Sequence, residues 1–479
     1  MSTTTTTTTG AHILAYTYPA SGHIIPLLDL THQLLRRGLT VTVVVIPTNL
    51  PLLQPLLSLH PSSLQPLVLP APEPPTPSWK SRMAKDQAMR DLHHPFLLNW
   101  FHSHISPPIA IISDFFLGWT YHLAKQLGLP RVVFSPSSAS GLSVLFSLWR
   151  DLPKKEDPED MDFQVLLPKI PNSPVYPWRQ LPNQYKNCKE GDADWEFSKN
   201  NMLDNFASWG LVVNSFTELE RVYLDHLRTE LGHDRVWAVG PLLPLVDDVV
   251  GSSSRGGSSS IPCEQVMAWL NSRNDNSVVY VCFGSRTTLN TKQMDVLVSA
   301  LEQSGVEFIL CVRGLDERLV GVGDDRGVIP NGFEDRVEGR GFVIKGWAPQ
   351  VAILKHRAVG AFLTHCGWNS VLEGITAGVV MLTWPMGSDQ FTNARLLVDQ
   401  LGVGIRVGEN IENIPEPSKL AHLLVESVSA TRLERVRVKE LSDAALGSIK
   451  GGSSDKDLDE FVERLYLGVA KIRTYTLRI

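Results

Sequence analysis

The sequence predicts an α/β protein built as two doubly wound, Rossmann-like domains. Three observations predict it. Short β-branched runs alternate along the chain with longer stretches of helical period. Those runs are continuously apolar rather than alternating, so both of their faces are buried, as in a parallel sheet between helix layers. The pattern then starts afresh near Val278, in a chain of 479 residues that exceeds one typical domain severalfold.

The N-terminus reads Met1, Ser2 and seven threonines to Thr9. No Lys or Arg precedes the apolar stretch His12–Tyr18, which is too short and polar for a signal-peptide core. The longest clean apolar run lies near Val41–Ile46, far short of a membrane span. The expectation is a soluble cytoplasmic chain with a frayed tail. First-domain strands are expected at His12–Thr17, Leu39–Ile46, Ile109–Ser113, Arg131–Phe134, Leu211–Asn214 and Val236–Val239. Pro70–Trp79 is too rich in proline for a helix or a central strand. Asp151–Asn187 mixes acids, prolines and aromatics and reads as a long loop, the kind that shapes ligand sites. Gly251–Ser260, GSSSRGGSSS, has no apolar face and reads as a flexible linker. Second-domain strands follow at Val278–Phe283, Val306–Val312, Phe342–Lys345, Val359–Leu363, Val379–Thr383 and Gly404–Val407. The resulting division is 1–250 for the first domain, 251–262 for the linker, 263–456 for the second domain and 457–479 for a C-terminal helix.

Composition narrows the function. The chain is 43% hydrophobic and 20% charged, which excludes a mostly disordered protein. Its net charge of −6 argues against nucleic acid or acidic membranes as partners. Five cysteines without a C-x-x-C pair exclude a disulfide scaffold and give no zinc signature.

The densest chemistry lies between Trp347 and Gln390. A buried strand, Val359–Leu363, runs into Thr364-His365-Cys366-Gly367-Trp368-Asn369-Ser370 and then a helix closed by Gly378. A strand, a short glycine-containing turn and a helix present a helix N-terminus at the carboxyl edge of the sheet, where ligands bind. The free N–H groups and positive dipole end there attract a phosphate. His365, Asn369 and Ser370 add side-chain donors. Glu373, one turn on, is misplaced for a phosphate but suits the two vicinal hydroxyls of a ribose. Trp347 offers a plane for a base and Gln350 an amide for its edge. Asp389 and Gln390 suit sugar hydroxyls. Singly, Trp347 and Trp384 read as core, His365 as a satisfied buried histidine and Glu373 as a solvated helix residue. Jointly they ask for a base, a ribose, a pyrophosphate and a sugar.

This segment resembles the 44-residue signature of plant UDP-sugar-dependent glycosyltransferases, with WAPQ, HCGWNS, Glu373, Trp384-Pro385 and Asp389-Gln390 in register. The resemblance implies the two-domain GT-B fold, with the two domains facing a cleft. It implies that Trp347 stacks on uracil with Ala348 and Gln350 beside it, and that Glu373 holds the ribose. His365, Asn369 and Ser370 contact the pyrophosphate, with Ser285 of Phe283-Gly284-Ser285 as a second donor there. Trp368, Asp389 and Gln390 meet the sugar. A terminal glutamine in this signature goes with glucose donors, so UDP-glucose is the expected co-substrate. UDP-rhamnose, UDP-xylose and UDP-galactose are the alternatives.

The first expected strand leads into Pro19-Ala20-Ser21-Gly22-His23-Ile24-Ile25-Pro26, which puts His23 in a loop at the ligand edge. A neutral histidine can take a proton from a phenol near neutral pH. Asp114, ending the strand Ile109–Ser113, is its natural partner, with the orienting logic of a triad. The resemblance assigns the same pair, a general base and its supporting aspartate. Attack of the activated oxygen on the anomeric carbon would invert it and release UDP toward the helix at Asn369–Ser370.

The acceptor is less legible. Phe115, Phe116, Leu117, Trp119, the stretch Pro136–Leu148 and Trp178 could line an apolar pocket or belong to the core. The motifs YPASGHIIP and ISDFFLGW resemble a subgroup acting on flavonoids and small phenolic acids. A flavonoid, at its 7-hydroxyl, or a hydroxybenzoate is therefore the expected acceptor, with a small lipophilic molecule such as a terpenoid as the alternative. Of the thirteen other histidines, His93, His94, His102 and His104 cluster, but neither His93/His94 nor His102/His104 shares a helical face, so they read as surface. Four Asp-x-Asp tripeptides, at Asp160/Asp162, Asp192/Asp194, Asp455/Asp457 and Asp457/Asp459, lie in polar surroundings and read as solvated charge. No metal and no cofactor beyond the UDP-sugar is expected. A monomer is expected. A nicotinamide oxidoreductase would need the glycine fingerprint, which neither Tyr18–His23 nor Gly284–Arg286 supplies. A non-catalytic sugar-nucleotide binder would have no use for both His23 and Asp114.

Overall fold

The computed structural model describes residues 10–72, 80–186, 189–244, 255, 259–312, 325–409 and 414–476. Nine strands belong to the first half: β1 His12–Tyr16, β2 Thr40–Val45, β3 Leu64–Val68, β4 Ala110–Asp114, β5 Arg131–Ser135, β6 Gln164–Leu166, β7 Val175–Pro177, β8 Gly210–Val213 and β9 Val236–Ala238. Seven of them form a parallel sheet in the order β3-β2-β1-β4-β5-β8-β9. The second half adds β10 Val278–Cys282, β11 Glu307–Val312, β12 Gly341–Lys345, β13 Val359–Thr364, β14 Val380–Thr383 and β15 Gly404–Arg406. These form a second parallel sheet in the order β12-β11-β10-β13-β14-β15. The central strands are buried along their whole length, which is why they read as continuous apolar runs.

Both sheets reverse their winding between neighbouring strands, at β1/β4 in the first and β10/β13 in the second. Loops leaving the carboxyl ends of those strands diverge and open a crevice, the general ligand position of open α/β sheets. His23 follows β1 and Asp114 ends β4. Ser285 follows β10 and His365 follows β13. The residues singled out by their chemistry thus lie at the two switch points.

Two strand pairings were not expected. β3 contains Gln65 and Pro66 and is largely exposed, so its hydrophobic signal is weak. It holds an outer position in the sheet, where a proline that cannot donate is tolerated. β6 and β7 form a small antiparallel hairpin inside the expected loop Asp151–Asn187.

The helix Ser453–Thr476 packs on the first sheet. Leu458, Phe461, Val462 and Leu465 join its core, and Phe461 sits 5.1 Å from the Trp237 ring on β9. Asp457 departs from the solvated reading: it is partly buried and accepts a 2.8 Å hydrogen bond from the Ala238 N–H. Burial lifts its carboxyl above the ordinary range. Asp455 and Asp459 pair with Arg37 on the same face. The expected linker Gly251–Ser260 falls mostly outside the described residues; Arg255, Ser259 and Ser260 are described. Most of Pro70–Trp79 falls outside them as well. No helix among the described residues is long and apolar enough to cross a membrane.

Candidate active site

The two switch points face a cleft of about 1100 Å³. Of the residues predicted for the site, all but Asp114 line it. Asp114 is fully buried behind His23 and accepts a 2.7 Å hydrogen bond from its Nδ1. The other carboxylate oxygen accepts from the Phe116 N–H at 2.9 Å, which fixes the carboxylate plane. His23 is not in a loop. The helix Ser21–Arg36 starts two residues before it, because Ala20 is extended and its carbonyl accepts the His23 N–H at 2.8 Å. Helical backbone therefore holds the imidazole. Tyr18 meets it edge-on at 5.3 Å and Phe116 lies 5.0 Å away. With Nδ1 donating to Asp114, Nε2 is the nitrogen able to accept a proton.

The opposite wall is the helix Trp368–Ala377. Its N-cap is Gly367, and no side chain caps it, so the first-turn N–H groups remain available to a ligand. The turn before it is strained: Cys366, a buried non-glycine residue, adopts φ 66°, at a cost of roughly 1–2 kcal/mol. The His365 ring is wedged between two glycines. A Cβ at either Gly284, which has φ +77°, or Gly367 would lie 2.5 Å from its Nε2. Burial pushes this imidazole down to about 4, so at neutral pH it is uncharged and can serve a phosphate only as a hydrogen-bond donor. Its Nδ1 is buried without a partner among the described residues. Asn369 donates to the Gly22 carbonyl across the cleft at 3.1 Å, beside His23.

Glu373 is buried, and Gln350 Nε2 donates to its Oε2 at 2.6 Å and to Ser370 Oγ at 3.1 Å. Its other oxygen pairs with Arg255, which also reaches Asp29 at 2.7 Å and the Leu242 carbonyl at 3.2 Å. Burial works against the Arg255 charge, but Asp29 and Glu373 outweigh it and hold the guanidinium above its usual value. The Trp347 indole N–H donates to the Arg255 carbonyl at 3.3 Å, and the Trp347 carbonyl accepts from the Ser260 N–H at 2.9 Å. Tyr280 donates to Gln350 Oε1 at 3.2 Å.

At the far end the Trp368 indole N–H is already committed to the Asn214 carbonyl at 2.6 Å, leaving its ring and backbone to a ligand. Asp389 accepts from Ser137 Oγ at 2.5 Å and from Asn393 at 3.2 Å. Gln390 Oε1 accepts the Met386 and Gly387 N–H groups at 2.8 and 3.0 Å, so its NH₂ is the group it can offer. The apolar wall comprises Phe115, Phe116, Pro136, Leu142, Val144 and Leu145. Leu117 and Trp119 are core, and Trp178 packs against Tyr185 at 5.7 Å.

The surface reading of the histidine cluster fails at His93. It is fully buried, its Nδ1 lies 2.5 Å from the Tyr16 hydroxyl and its Nε2 2.8 Å from the Pro70 carbonyl. The polar contacts of both nitrogens repay that burial. Among the described residues no group of three or more His, Cys, Asp or Glu could hold a metal ion.

A family model described as UDP-glucoronosyl and UDP-glucosyl transferase matches residues 230–412. UDP-glycosyltransferase 89B2 of Stevia rebaudiana is 52% identical, over 96% of this chain and 98% of that protein. The chain belongs to the plant UDP-glycosyltransferase family. Flavonol 3-O-glucosyltransferase UGT89B1 of Arabidopsis thaliana is 50% identical, over 97% of this chain and 98% of that protein. The solved structure of Arabidopsis thaliana UGT89C1 complexed with UDP-L-rhamnose matches with a TM-score of 0.77 at 38% identity, over 95% of this chain and 99% of that one. The two sheets are the halves of a GT-B fold, and the chain is a UDP-glycosyltransferase.

Two residues of this UDP-glycosyltransferase that bear on the site escaped sequence reasoning: Arg255, which lines the cleft, and Asn393, which donates to Asp389. Arg255 had one signal, as the only charged residue in Gly251–Ser260. Asn393 had none, since a small polar residue in unpatterned surroundings carries no period or spacing. Ser137 falls within Pro136–Leu148, the stretch expected at the pocket, but nothing in the sequence pairs it with Asp389.

Proposed function

We propose that the enzyme transfers glucose from UDP-glucose to a hydroxyl of a flavonoid or similar small phenol, inverting the anomeric carbon. The observation that carries this reading is the His23–Asp114 pair, 2.7 Å apart at one switch point, facing the uncapped helix Trp368–Ala377 at the other. His23 Nε2 takes the acceptor proton, and the oxygen attacks the anomeric carbon as its bond to the β-phosphate breaks. UDP departs with its charge held by the helix N–H groups, Asn369, Ser370, Ser285 and neutral His365, so the mechanism needs no metal. Trp347, Ala348 and Gln350 take the uracil, Glu373 the ribose, and Trp368, Asp389 and Gln390 the glucose. The apolar wall beside His23 suits a flat aromatic acceptor. The subgroup resemblance favours the 7-hydroxyl; the flavonol 3-O-glucosyltransferase relative makes the 3-hydroxyl its competitor. A second reading, rhamnose transfer, draws on the relative complexed with UDP-L-rhamnose.

The test is product mass from a phenolic panel, with UDP-glucose, UDP-rhamnose, UDP-xylose and UDP-galactose offered separately in EDTA. The proposal expects a gain of one hexose with UDP-glucose and none with the others. A gain only with UDP-rhamnose would replace it with the second reading, and loss of product in EDTA would remove metal independence. Fragmentation of the product separates the two hydroxyl positions.

Arg255 supports a further prediction. It occupies one oxygen of the carboxylate that the ribose would use. Arg255→Ala frees that oxygen and is expected to lower the KM for UDP-glucose severalfold, since the buried pair must otherwise be broken before the ribose can use the carboxylate. Steady-state kinetics at saturating acceptor would show it; a raised KM would mean that Arg255 itself helps hold the nucleotide.

A further inference from the structure

Glu220 is a carboxylate for which the chemistry above has no use. It is almost wholly buried in the helix Thr217–Leu231, at a point where the backbone leaves helical geometry (φ −134°, ψ 30°). It is nevertheless saturated with donors. Oε1 accepts the Ser140 N–H at 2.8 Å, and Oε2 accepts the Ala139 N–H at 2.9 Å and the Ser215 hydroxyl at 2.7 Å. Ser138 Oγ takes the third open N–H, of Gly141, at 3.0 Å. The first turn of the helix Ala139–Asp151 is thus held by one buried carboxylate placed at its positive end; burial raises its pKa, and the hydrogen bonds from Ser215, Ser140 and Ala139 oppose that rise.

Both segments that Glu220 grips reach across to the second sheet. From the helix start, Ser137 donates to Asp389 at 2.5 Å and Ser138 donates to the Asn393 carboxamide oxygen at 2.7 Å. The approach is close: a Cβ on Gly141 would lie 3.4 Å from that of Asp389. From the other segment, the Asn214 carbonyl, next to Ser215, accepts the Trp368 indole N–H at 2.6 Å. Asn393 in turn donates to Asp389 and to the Cys366 carbonyl. We infer that Glu220 is a positioning residue for the sugar half of the donor, setting from the first domain the hydrogen bonds that orient Trp368 and Asp389 in the second. It touches no ligand itself. The inference rests on the reading that a UDP-sugar fills this cleft with its sugar at Trp368 and Asp389. It adds that the sugar subsite is complete only when the first domain supplies Ser137, Ser138 and Asn214.

A cap that only stabilised its helix would affect all ligands alike. A positioning residue would affect the sugar and spare the nucleotide. The experiment is therefore calorimetric titration of UDP and of UDP-glucose into the full-length wild type, Glu220→Gln, Ser137→Ala and the double variant. Glutamine keeps the shape but turns an NH₂ group toward donors that need an acceptor. The expected result is unchanged UDP affinity in all four proteins, with UDP-glucose weakened roughly tenfold in Glu220→Gln. The double variant should be no weaker than Glu220→Gln alone, because the Ser137–Asp389 bond is one of those that Glu220 sets, beside the Asn214–Trp368 bond. Ser215→Ala, which removes one donor to the carboxylate, carries the same test in smaller measure should the glutamine variant not fold. UDP-glucose binding unchanged in Glu220→Gln would overturn the inference. So would equal weakening of UDP and UDP-glucose, or additive losses in the double variant. A wild type that bound no UDP at all would instead bring down the donor-site reading on which the inference stands.

Discussion

Replacement of His23 by alanine is expected to lower kcat by about 10²–10⁴-fold, the range a positioned general base supplies. UDP affinity should stay at the wild-type value. The separation follows from the geometry. His23 and Asp114 belong to the first sheet's switch point, and the groups assigned to the nucleotide belong to the second. The nearest link is Asn369, whose bond goes to the Gly22 backbone carbonyl and survives the loss of the imidazole. Steady-state kinetics paired with a UDP titration checks both halves. Full turnover in the alanine variant would remove His23 as the base; a parallel loss of UDP binding would mean that the substitution disturbed the helix Ser21–Arg36.

Glu373→Ala should produce the complementary result. The ribose would lose a carboxylate, and a charge-assisted hydrogen bond is worth about 1.5–3 kcal/mol, so UDP affinity should fall by roughly 10–150-fold. Because Gln350 and Arg255 both rest on this carboxylate, its removal also leaves the amide with Ser370 and the guanidinium with Asp29 and the Leu242 carbonyl. The loss should therefore sit at the upper end of that range. With donor raised to saturation, kcat should recover most of its value, unlike the His23 variant. Unchanged UDP affinity by calorimetry would remove the ribose role.

The fold was legible because its signals are local. Continuous apolar runs such as Val278–Cys282 and Val359–Thr364 announce parallel strands, and the strands expected in both halves occur within a residue or two. β3 was missed for a physical reason: Pro66 and an exposed face make it look like a loop, and its outer position makes both harmless. The residues singled out near Trp347–Gln390 come to one cleft because the segment is itself a strand, a turn and a helix, so its sequence spacing is already a spatial arrangement. Contacts across the domains had no such signal. Arg255 with Glu373, Asn214 with Trp368 and Ser137 with Asp389 join residues more than a hundred positions apart through no pattern that a sequence carries. His93 and Asp457 illustrate the converse. A polar residue reads as surface until its buried partners, Tyr16 and the Ala238 N–H, are seen.

A single displacement, with the base on one sheet and the departing UDP on the other, makes a definite statement about stereochemistry. UDP-glucose carries its sugar in the α configuration, and attack from the His23 side opposite the leaving group must yield the β-glucoside. Proton NMR of the purified product reads this from the coupling of the anomeric hydrogen. A large diaxial coupling, the β product, is the result this account predicts; the small coupling of an α-glucoside would contradict it.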